Sequence, residues 1–420
     1  MNTYKKPTEI MAPAGNFSAL TAAWQGGANS VYFGIEKLNM RAGSSKNFTT
    51  EDLPEIADFC KQHNMRSYLA VNTVIYDEEI PLMHDIIDAA KSAGISAIIA
   101  SDQSVINYAY KAGMEIHLST QLNVSNIETV KFYAKYADVM VLARELNLKQ
   151  IRQITESIKQ EKITGPAGEL IKIEVFAHGA LCMAISGKCY LSLHEHDSSA
   201  NRGACLQTCR KSYTATNNET GYQLEIDNEY IMSPKDLSTI GFLDKLLAAG
   251  VTVLKIEGRA RPAEYVKTVS ECYREAVQAI REGTYTKSKI DDWTNRLSVV
   301  FNRGFWEGYY MGKHTGEWSK TYGSKARRTK KYIGKGTNYF SKLGVGEFLL
   351  QAGQLKPGEK VLISGPTTGV IETEVKEIRL DRDPVSEAVK GQRFSMPVPE
   401  KIRPSDKLYK YIYKNQEHEE

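Results

Sequence analysis

The sequence has no hydrophobic segment long enough to cross a membrane. A membrane-spanning helix needs roughly 18 to 20 consecutive apolar residues, and no run in the 420-residue chain approaches that length. The amino-terminal stretch MNTYKKPTEIMAPAG also lacks the apolar core of a signal peptide or a transit peptide. The sequence therefore predicts a cytoplasmic protein without a membrane partner.

Three common catalytic signatures are missing as well. No GxGxxG motif follows the first predicted strand, which argues against a dinucleotide-binding fold. No GxSxG elbow is present, and the HEHD segment at 194–197 does not have the HExxH spacing of zinc peptidases. A serine or zinc peptidase mechanism therefore has no support from local motifs, and we expect HEHD to lie in a solvated loop.

Short apolar strands alternate with helical patterns through the first two thirds of the chain. Eight strands, each followed by a helix, predict a (β/α)8 TIM-like barrel rather than an open doubly wound sheet. The predicted strands are 8–13, 30–35, 66–72, 96–101, 115–120, 138–143, 171–177 and 251–258. The predicted helices are 17–25, 51–63, 78–93, 103–112, 126–137, 148–162, 237–249 and 263–282. We expect the barrel to occupy residues 1–285, with a cysteine-rich insertion at 178–230.

A different pattern begins after the last barrel helix. Residues 286–330 hold one weak helical pattern at 290–301 and a basic stretch, and we interpret them as a linker. The remaining residues, 331–420, show short alternating strands separated by turns such as LKPGE and SGPTTG. This pattern predicts a small antiparallel β-barrel domain.

The densest run of basic residues lies at the junction of the two parts. The formal net charge of +4 is too small to indicate a nucleic-acid partner by itself. Tyrosines are interleaved with the basic run, however, and this combination suits phosphate contacts with base stacking. A solvated linker would have a similar composition, so both interpretations stay open. The candidate RNA-binding residues are Lys320, Lys325, Arg327, Arg328, Lys330 and Lys331.

Four of the six cysteines lie together, at Cys182, Cys189, Cys205 and Cys209, with the spacing C-x6-C-x15-C-x3-C. Cytosolic thiols are mostly reduced, so clustered cysteines there indicate a metal or a cluster rather than disulfides. Four thiolates are the usual ligand set of a [4Fe–4S] cluster. Structural zinc sites use the same set, mostly as paired CxxC knuckles. Zinc and unligated thiols therefore stay as alternatives to the cluster.

Polar side chains follow several predicted strands. In a (β/α)8 barrel the catalytic groups lie at the carboxyl ends of the strands, and His117, His178 and Glu257 have such positions. His117 and His178 are candidates for proton transfer from their residue type, and Glu257 is a third candidate catalytic residue. Helix caps and rim ion pairs account for many such residues in any barrel, so residue type alone assigns no role.

Segments along the whole chain resemble peptidase family U32, the collagenase-like peptidases. The segment EVFAHGALCMAISGKCYLS at 174–192 resembles the signature of that family, and the blocks MAPAGN, VYFG, STQLNV, NRGACLQTCR, MSPKDL, KIEGR and FNRGF are also similar to it. The signature positions are Glu174, Phe176, Gly179, Ala180, Cys182, Gly187, Cys189 and Ser192. Within the family, the sequence most resembles the tRNA 5-hydroxyuridine modification proteins that carry an added C-terminal barrel.

The resemblance implies an oxygen-independent hydroxylation of the wobble uridine of tRNA to 5-hydroxyuridine. It further implies prephenate as the hydroxyl source and a [4Fe–4S] cluster on the four cysteines. The tRNA anticodon arm is then the expected partner, and a second subunit of the same family is a further candidate. Arg41, Arg144 and Arg259 are the candidates for binding this dicarboxylate cosubstrate, because guanidinium groups pair well with planar carboxylates.

Two alternative functions stay open at this point. One is the peptidase activity for which the family was named. The other is a non-catalytic RNA-binding or assembly subunit in which the cluster is structural.

Overall fold

The computed structural model describes residues 7–43, 47–211, 215–216, 218–221, 223–224, 233–312, 316–319 and 323–413. Eight parallel strands close into a barrel, because each pairs with the next and the eighth pairs with both the seventh and the first. The predicted (β/α)8 barrel is therefore confirmed. Its strands are β1 (Glu9–Pro13), β2 (Ser30–Phe33), β3 (Arg66–Val71), β4 (Ala97–Ala100), β5 (Glu115–Leu118), β6 (Val139–Val141), β7 (Lys172–Gly179) and β8 (Val253–Ile256).

Helices surround the barrel and bury one apolar face each against it. Polar residues fix where several of them begin: the Asn16 and Asp102 side chains accept hydrogen bonds from the backbone N–H groups of Ala19 and Ser104. None of the described helices is long and apolar enough to span a membrane. The helices are α1 (Phe17–Gln25), α2 (Leu53–Gln62), α3 (Ile80–Ala93), α4 (Gln103–Lys111), α5 (Ile127–Ala134), α6 (Leu148–Gln160), α7 (Leu243–Ala248), α8 (Ala263–Glu282) and α9 (Lys287–Val299).

Two local predictions need correction. The helix predicted at 237–249 begins only at Leu243, because Asp236–Ser238 forms a short strand that pairs antiparallel with the end of β7. The HEHD segment is exposed as expected, but it belongs to a short helix, Leu191–His196, rather than to a loop. The strand at Asp236–Ser238 depends on its pairing with β7, a long-range effect that local patterns do not encode.

The segment interpreted as a linker contains a packed helix. Helix α9 has 13 residues and buries Trp293 and Leu297. The Trp293 indole N–H donates a hydrogen bond of 2.8 Å to a carboxylate oxygen of Glu275 on α8. The region after the barrel is thus held against it by a helix–helix contact.

The last part of the chain forms an antiparallel sheet with its own apolar core around Phe348 and Phe394. In the described residues its edge strands, β12 and β14, are not paired with each other, so the backbone ladder does not close into a full barrel. The order across the sheet is β12-β11-β16-β9-β10-β15-β13-β14. These strands are β9 (Arg328–Phe340), β10 (Val345–Leu350), β11 (Lys360–Gly365), β12 (Gly369–Glu374), β13 (Ile378–Leu380), β14 (Asp383–Val385), β15 (Arg393–Pro397) and β16 (Lys407–Tyr413).

The edge strand β12 is covered by helix α1 of the barrel. Gln25 donates to the carbonyl oxygen of Thr368 at 3.1 Å and accepts from the backbone N–H of Val370 at 2.9 Å. Gly369 has a φ of +66°, and a Cβ atom there would lie 2.4 Å from the Gln25 side-chain oxygen. The two domains therefore meet through hydrogen bonds from the Gln25 side chain to the backbone of the sheet. This contact also protects the edge at β12 from pairing with other chains.

Candidate functional site

A cavity of about 190 Å³ lies at the carboxyl ends of the barrel strands. Side chains from the strand ends, including Tyr32, Asn72 and Lys255, form its floor. Its cover is the cysteine segment, which we define as residues 180–211. The cavity thus lies where (β/α)8-barrel enzymes carry their active sites.

All four cysteines of the segment, Cys182, Cys189, Cys205 and Cys209, line this cavity. None of them forms a disulfide, and Cys182 is exposed whereas the other three are partly buried. The chain turns from β7 into the segment at Gly179, which has a φ of +105°. A Cβ atom there would lie 2.4 Å from the backbone oxygen of Glu257, so only glycine fits this turn.

Two arginines hold the cysteine segment on the barrel. Arg210 donates to the carbonyl oxygens of Leu181 at 2.6 Å and Pro234 at 2.8 Å. Arg202 makes two 2.9 Å contacts with the carboxylate of Glu79 and lies 3.6 Å from the centre of the Tyr76 ring. These bidentate and stacked contacts fix the segment without using the thiols.

Four thiols that line one cavity are by their chemistry the usual donor set of a [4Fe–4S] cluster. Within the described part of the chain, no three His, Cys, Asp or Glu side chains lie close enough to hold a single ion. A tetrahedral zinc site needs sulfurs about 2.3 Å from one centre, whereas a [4Fe–4S] cluster binds each thiolate through a different iron and spreads them apart. Burial raises the pKa of the Cys209 thiol to about 11, and a bound metal centre would offset this by favouring the thiolate.

The three predicted arginines also meet at this cavity. Arg41, Arg144 and Arg259 all line it. The Arg144 guanidinium lies 4.1 Å from the centre of the Phe176 ring, and its buried Nε atom has no hydrogen-bond partner among the described residues. Arg259 donates to the Asn39 side-chain oxygen at 3.0 Å. The cavity lining therefore combines four cysteines with four arginines, since Arg210 lines it as well.

Glu257 is the one predicted catalytic residue that lines the cavity. Burial alone would raise its pKa, but the Arg41 charge and the Tyr32 hydrogen bond outweigh burial and lower the pKa to about 2. Its oxygens lie 2.9 Å from Arg41 Nη2 and 2.8 Å from the Tyr32 hydroxyl. A carboxylate with so low a pKa is a poor proton carrier near pH 7, and its contacts indicate that it positions Arg41 and Tyr32.

His117 does not reach the cavity. It is fully buried inside the barrel, where its ring nitrogens lie 3.2 Å from Glu115 and 3.4 Å from Glu174. Burial would lower its pKa, but these two carboxylates hold the pKa above the ordinary value. Glu174 also accepts a 2.8 Å hydrogen bond from Lys255 Nζ. The structure therefore places His117 in a charge network of the barrel interior.

His178 lies away from the cavity too. It is 1% exposed and packs against the rings of Tyr265, Tyr273 and Phe305. Burial, together with the charge of Arg261, lowers its pKa to about 3. The imidazole is neutral at physiological pH, and its surroundings are those of a core residue rather than of a proton-transfer group.

The buried His178 predicts acid sensitivity of the fold. The pKa of this imidazole is about 6.5 in the unfolded chain and about 3 in the folded one. Between these two pH values the unfolded chain binds more protons than the folded chain, so the free energy of unfolding falls as the pH drops. We expect the free energy of unfolding to fall by about 2 kcal/mol between pH 7 and pH 5 from this group. Urea unfolding of the wild type and of His178→Gln at pH 5, 6 and 7 measures the difference. Parallel pH dependences of the two proteins would contradict the prediction, since the opposing contribution of His117 is common to both.

The basic run is only partly free to bind a ligand. Lys320 lies outside the described residues. Arg328 stacks 3.9 Å from the centre of the Tyr411 ring and pairs with Glu372 at 2.6 Å. The remaining described residues of the run, apart from Lys330, are exposed: Lys325, Arg327 and Lys331.

Lys330 belongs to the domain interface. Its ammonium group pairs with Glu264 of α8 at 2.7 Å and lies 4.7 Å from the centre of the Tyr409 ring. The basic run therefore does not form one continuous cationic patch, because strand β9 begins at Arg328 and turns alternate side chains to opposite faces.

Sequence patterns missed two parts of the site. Tyr32 lies within the apolar run VYFG, and nothing in that run predicts that its hydroxyl contacts Glu257, which is distant in sequence. Glu174 stands in the apolar strand pattern IKIEVFA, and a charge at such a position is a detectable sign of a buried network. Its partners Lys255 and His117 come from other strands and are visible only in the fold.

The fold and the position of the cavity define a (β/α)8-barrel protein with a thiol-rich site at its catalytic end. The sequence model of Peptidase family U32 matches residues 15–320. This chain belongs to Peptidase family U32.

Three relatives match it over most of their length. A protein named collagenase from Porphyromonas gingivalis (strain ATCC BAA-308 / W83) is 59% identical over 403 residues, which cover 96% of this chain and 97% of that protein. Another Porphyromonas gingivalis protein with the same name is 54% identical over 360 residues, 86% of this chain and 99% of that protein. The tRNA hydroxylation protein P1 of Bacillus subtilis (strain 168) is 32% identical over 418 residues, 97% of this chain and 95% of that protein.

Proposed function

We propose that this chain is an iron–sulfur RNA hydroxylase that converts the wobble uridine of tRNA to 5-hydroxyuridine, with prephenate as the cosubstrate. The observation that carries the proposal is the shared cavity, which the four cysteines and the three predicted arginines line at the catalytic end of the barrel. This combination suits a redox centre next to an anionic small molecule.

Cys182, Cys189, Cys205 and Cys209 would hold the [4Fe–4S] cluster. When bound, such a cluster supplies one-electron chemistry that side chains cannot provide. Zinc is the alternative metal, but it has no redox chemistry, and four thiolates would leave it no open position for a substrate. The four cysteines that line one cavity are the donor set that supports the cluster.

Arg41, Arg144 and Arg259 would bind the two carboxylates of prephenate. A buried N–H group normally has a hydrogen-bond partner, and the Arg144 Nε atom has none within the part of the chain that the structure describes. A carboxylate oxygen of the ligand would supply that partner. Glu257 keeps Arg41 in place through their 2.9 Å ion pair, so this guanidinium is already oriented before the ligand arrives.

The target base must leave its stack to reach a cavity at the barrel mouth. The rim beside the thiols exposes apolar side chains, among them Ile185 at 54% and Tyr190 at 68%. Such side chains can cover an extruded pyrimidine. The tRNA hydroxylation protein that matches nearly the whole chain supports RNA as the substrate.

Peptidase activity is the second candidate function. Its support is the name collagenase carried by the relatives with 59% and 54% identity. A peptidase needs an activated nucleophile or a metal-bound water. Ser119 is a hydroxyl in the cavity lining, but its side chain is hydrogen-bonded to Asn72 and Gln121, and no histidine lies among the described lining residues. We therefore prefer the hydroxylase.

A nucleoside measurement tests the proposed function. The chain is expressed in a bacterial strain that lacks its own tRNA uridine hydroxylases, and the tRNA nucleosides are quantified by mass spectrometry. We expect 5-hydroxyuridine to appear, and to disappear when the host cannot make prephenate. No 5-hydroxyuridine, together with digestion of native collagen by the purified protein, would overturn the hydroxylase in favour of the peptidase.

A further inference from the structure

One face of the C-terminal sheet carries a row of basic and aromatic side chains across strands β9 and β16. Tyr332 lies directly opposite Tyr409, and Lys335 lies directly opposite Lys407. Opposite residues of an antiparallel pair share a face of the sheet, and so do Lys407 and Tyr409, which are two apart on β16. A register shift between Tyr332 and Gly334 on β9 therefore leaves Lys335 on the same face as Tyr332. We call the four side chains Tyr332, Lys335, Lys407 and Tyr409 the tyrosine–lysine stripe.

The two lysines of the stripe repel each other. Like charges directly opposite on an antiparallel pair are destabilising, and neither Lys335 nor Lys407 has a carboxylate partner among the described residues. The other face of the same ladder differs: Lys410 lies opposite Lys331 but is paired with Glu359. The stripe therefore holds positive charge that the protein itself does not neutralise, as an anion-binding surface requires.

Tyr332 provides an exposed flat ring beside this charge, and Tyr409, partly buried against the barrel core, supports that ring from the side. Tyr332 is 38% exposed, and its ring centre lies 5.7 Å from that of Tyr409 with the planes at 72°. Exposed aromatic rings with neighbouring cations are the common platform for single-stranded nucleic acid, since bases stack on the rings and phosphates meet the cations. A protein partner would match the charge but has no need of the two rings.

The stripe also has a fixed relation to the cavity. Lys330, next to it on β9, pairs with Glu264 in the first turn of α8 and lies over the Tyr409 ring. The loop just before α8 carries Glu257 and Arg259, which line the cavity. The stripe thus starts at the part of the sheet that is anchored beside the catalytic end of the barrel.

We propose that the tyrosine–lysine stripe binds the single-stranded nucleotides that flank the target pyrimidine. The inference rests on the proposed function, because it takes the substrate to be RNA. It moves the main RNA contact from the basic run, where Arg328 and Lys330 are occupied by Glu372 and Glu264, to the face of β9 and β16. The Tyr332 ring holds a base, and Lys335 and Lys407 contact the neighbouring phosphates.

Binding of a fluorescein-labelled anticodon-loop RNA, followed by anisotropy from 50 to 200 mM KCl, tests the stripe. The double variant Lys335→Ala/Lys407→Ala is expected to bind more weakly, with a slope of log K against log salt that is less steep by about 1.4, or 0.7 for each lost phosphate contact. Tyr332→Ala is expected to lose affinity roughly 5- to 100-fold, as loss of one stacked base does. Tyr332→Phe keeps the ring and should bind like the wild type.

The matched control is Lys331→Ala/Lys342→Ala, which removes two exposed charges outside the stripe. An equal loss of affinity in both double variants would overturn the stripe in favour of general electrostatic attraction. An equal loss in Tyr332→Phe and Tyr332→Ala would assign the effect to the hydrogen bond between Tyr332 and Gln351 and overturn stacking. A wild type that binds no RNA would overturn the stripe outright.

The two proposals fail in different ways. Stripe-dependent RNA binding without any 5-hydroxyuridine would overturn the proposed function and leave the stripe in place. Hydroxylation by a protein whose stripe variants bind RNA as the wild type does would overturn the stripe and leave the function in place.

Discussion

Replacing Cys189 by alanine is expected to remove the bound iron and to lower the rate of tRNA hydroxylation below detection. The rate should fall at least about 100-fold, as is usual when an essential catalytic group is lost. A cluster held by these four thiolates would have one iron without a protein ligand in the variant, which would weaken its retention in the cavity. Iron content and 5-hydroxyuridine formation by anaerobically purified protein measure the two effects. We expect similar results for Cys182, Cys205 and Cys209, which line the same cavity.

Cys60→Ala is the matched control, because Cys60 is buried in helix α2 and does not line the cavity. It should keep both iron and activity. RNA binding by Cys189→Ala then separates the catalytic from the non-catalytic function, since a structural cluster would leave an assembly role that survives loss of activity. Full iron content and wild-type activity in Cys189→Ala would contradict the site as described.

Glu174→Gln is expected to lower the free energy of unfolding by about 3–5 kcal/mol, the usual cost of removing one partner of a buried ion pair. Glu174 is 0% exposed and lies between Lys255 at 2.8 Å and His117 at 3.4 Å. The glutamine fills the same volume but leaves the buried Lys255 ammonium without its counter-ion and removes one of the two carboxylates beside His117. Urea unfolding at pH 7 measures the loss.

Glu115→Gln provides the comparison for this second prediction. Glu115 contacts His117 at 3.2 Å and Arg66 at 2.6 Å, but its side chain is 26% exposed, so water screens the loss. We expect a cost of about 1 kcal/mol there. If the two variants lost the same stability, the barrel interior would not be the charged environment that the structure describes.

The fold was predictable because its signals are local. Eight apolar runs such as SAIIAS at 96–101 alternate with helical patterns, and the helix predicted at 263–282 coincides with α8. The helix predicted at 237–249 was too long, since pairing of Asp236–Ser238 with β7 depends on where the cysteine segment returns to the barrel. Long-range pairing of this kind leaves no trace in a short window of sequence.

The site was predictable where residue type determines the chemistry. The four clustered thiols and the three strand-end arginines meet at one cavity, as expected for a barrel. His117 could not be placed, because in a strand a shift of one residue turns a side chain from the barrel interior to the surrounding helices or rim. Arg328 and Lys330 could not be placed either, since their partners Glu372 and Glu264 are distant in sequence.

The most direct test of the central claim is the metal content of the protein purified without oxygen. Iron and acid-labile sulfide are quantified together with zinc, and the reduced protein is examined by electron paramagnetic resonance. We predict about four iron and four sulfide per chain, with the paramagnetic signal of a reduced [4Fe–4S] cluster that is absent from Cys189→Ala. One zinc per chain with neither iron nor sulfide would contradict the cluster, and with it the proposal that this cavity carries out redox chemistry on RNA.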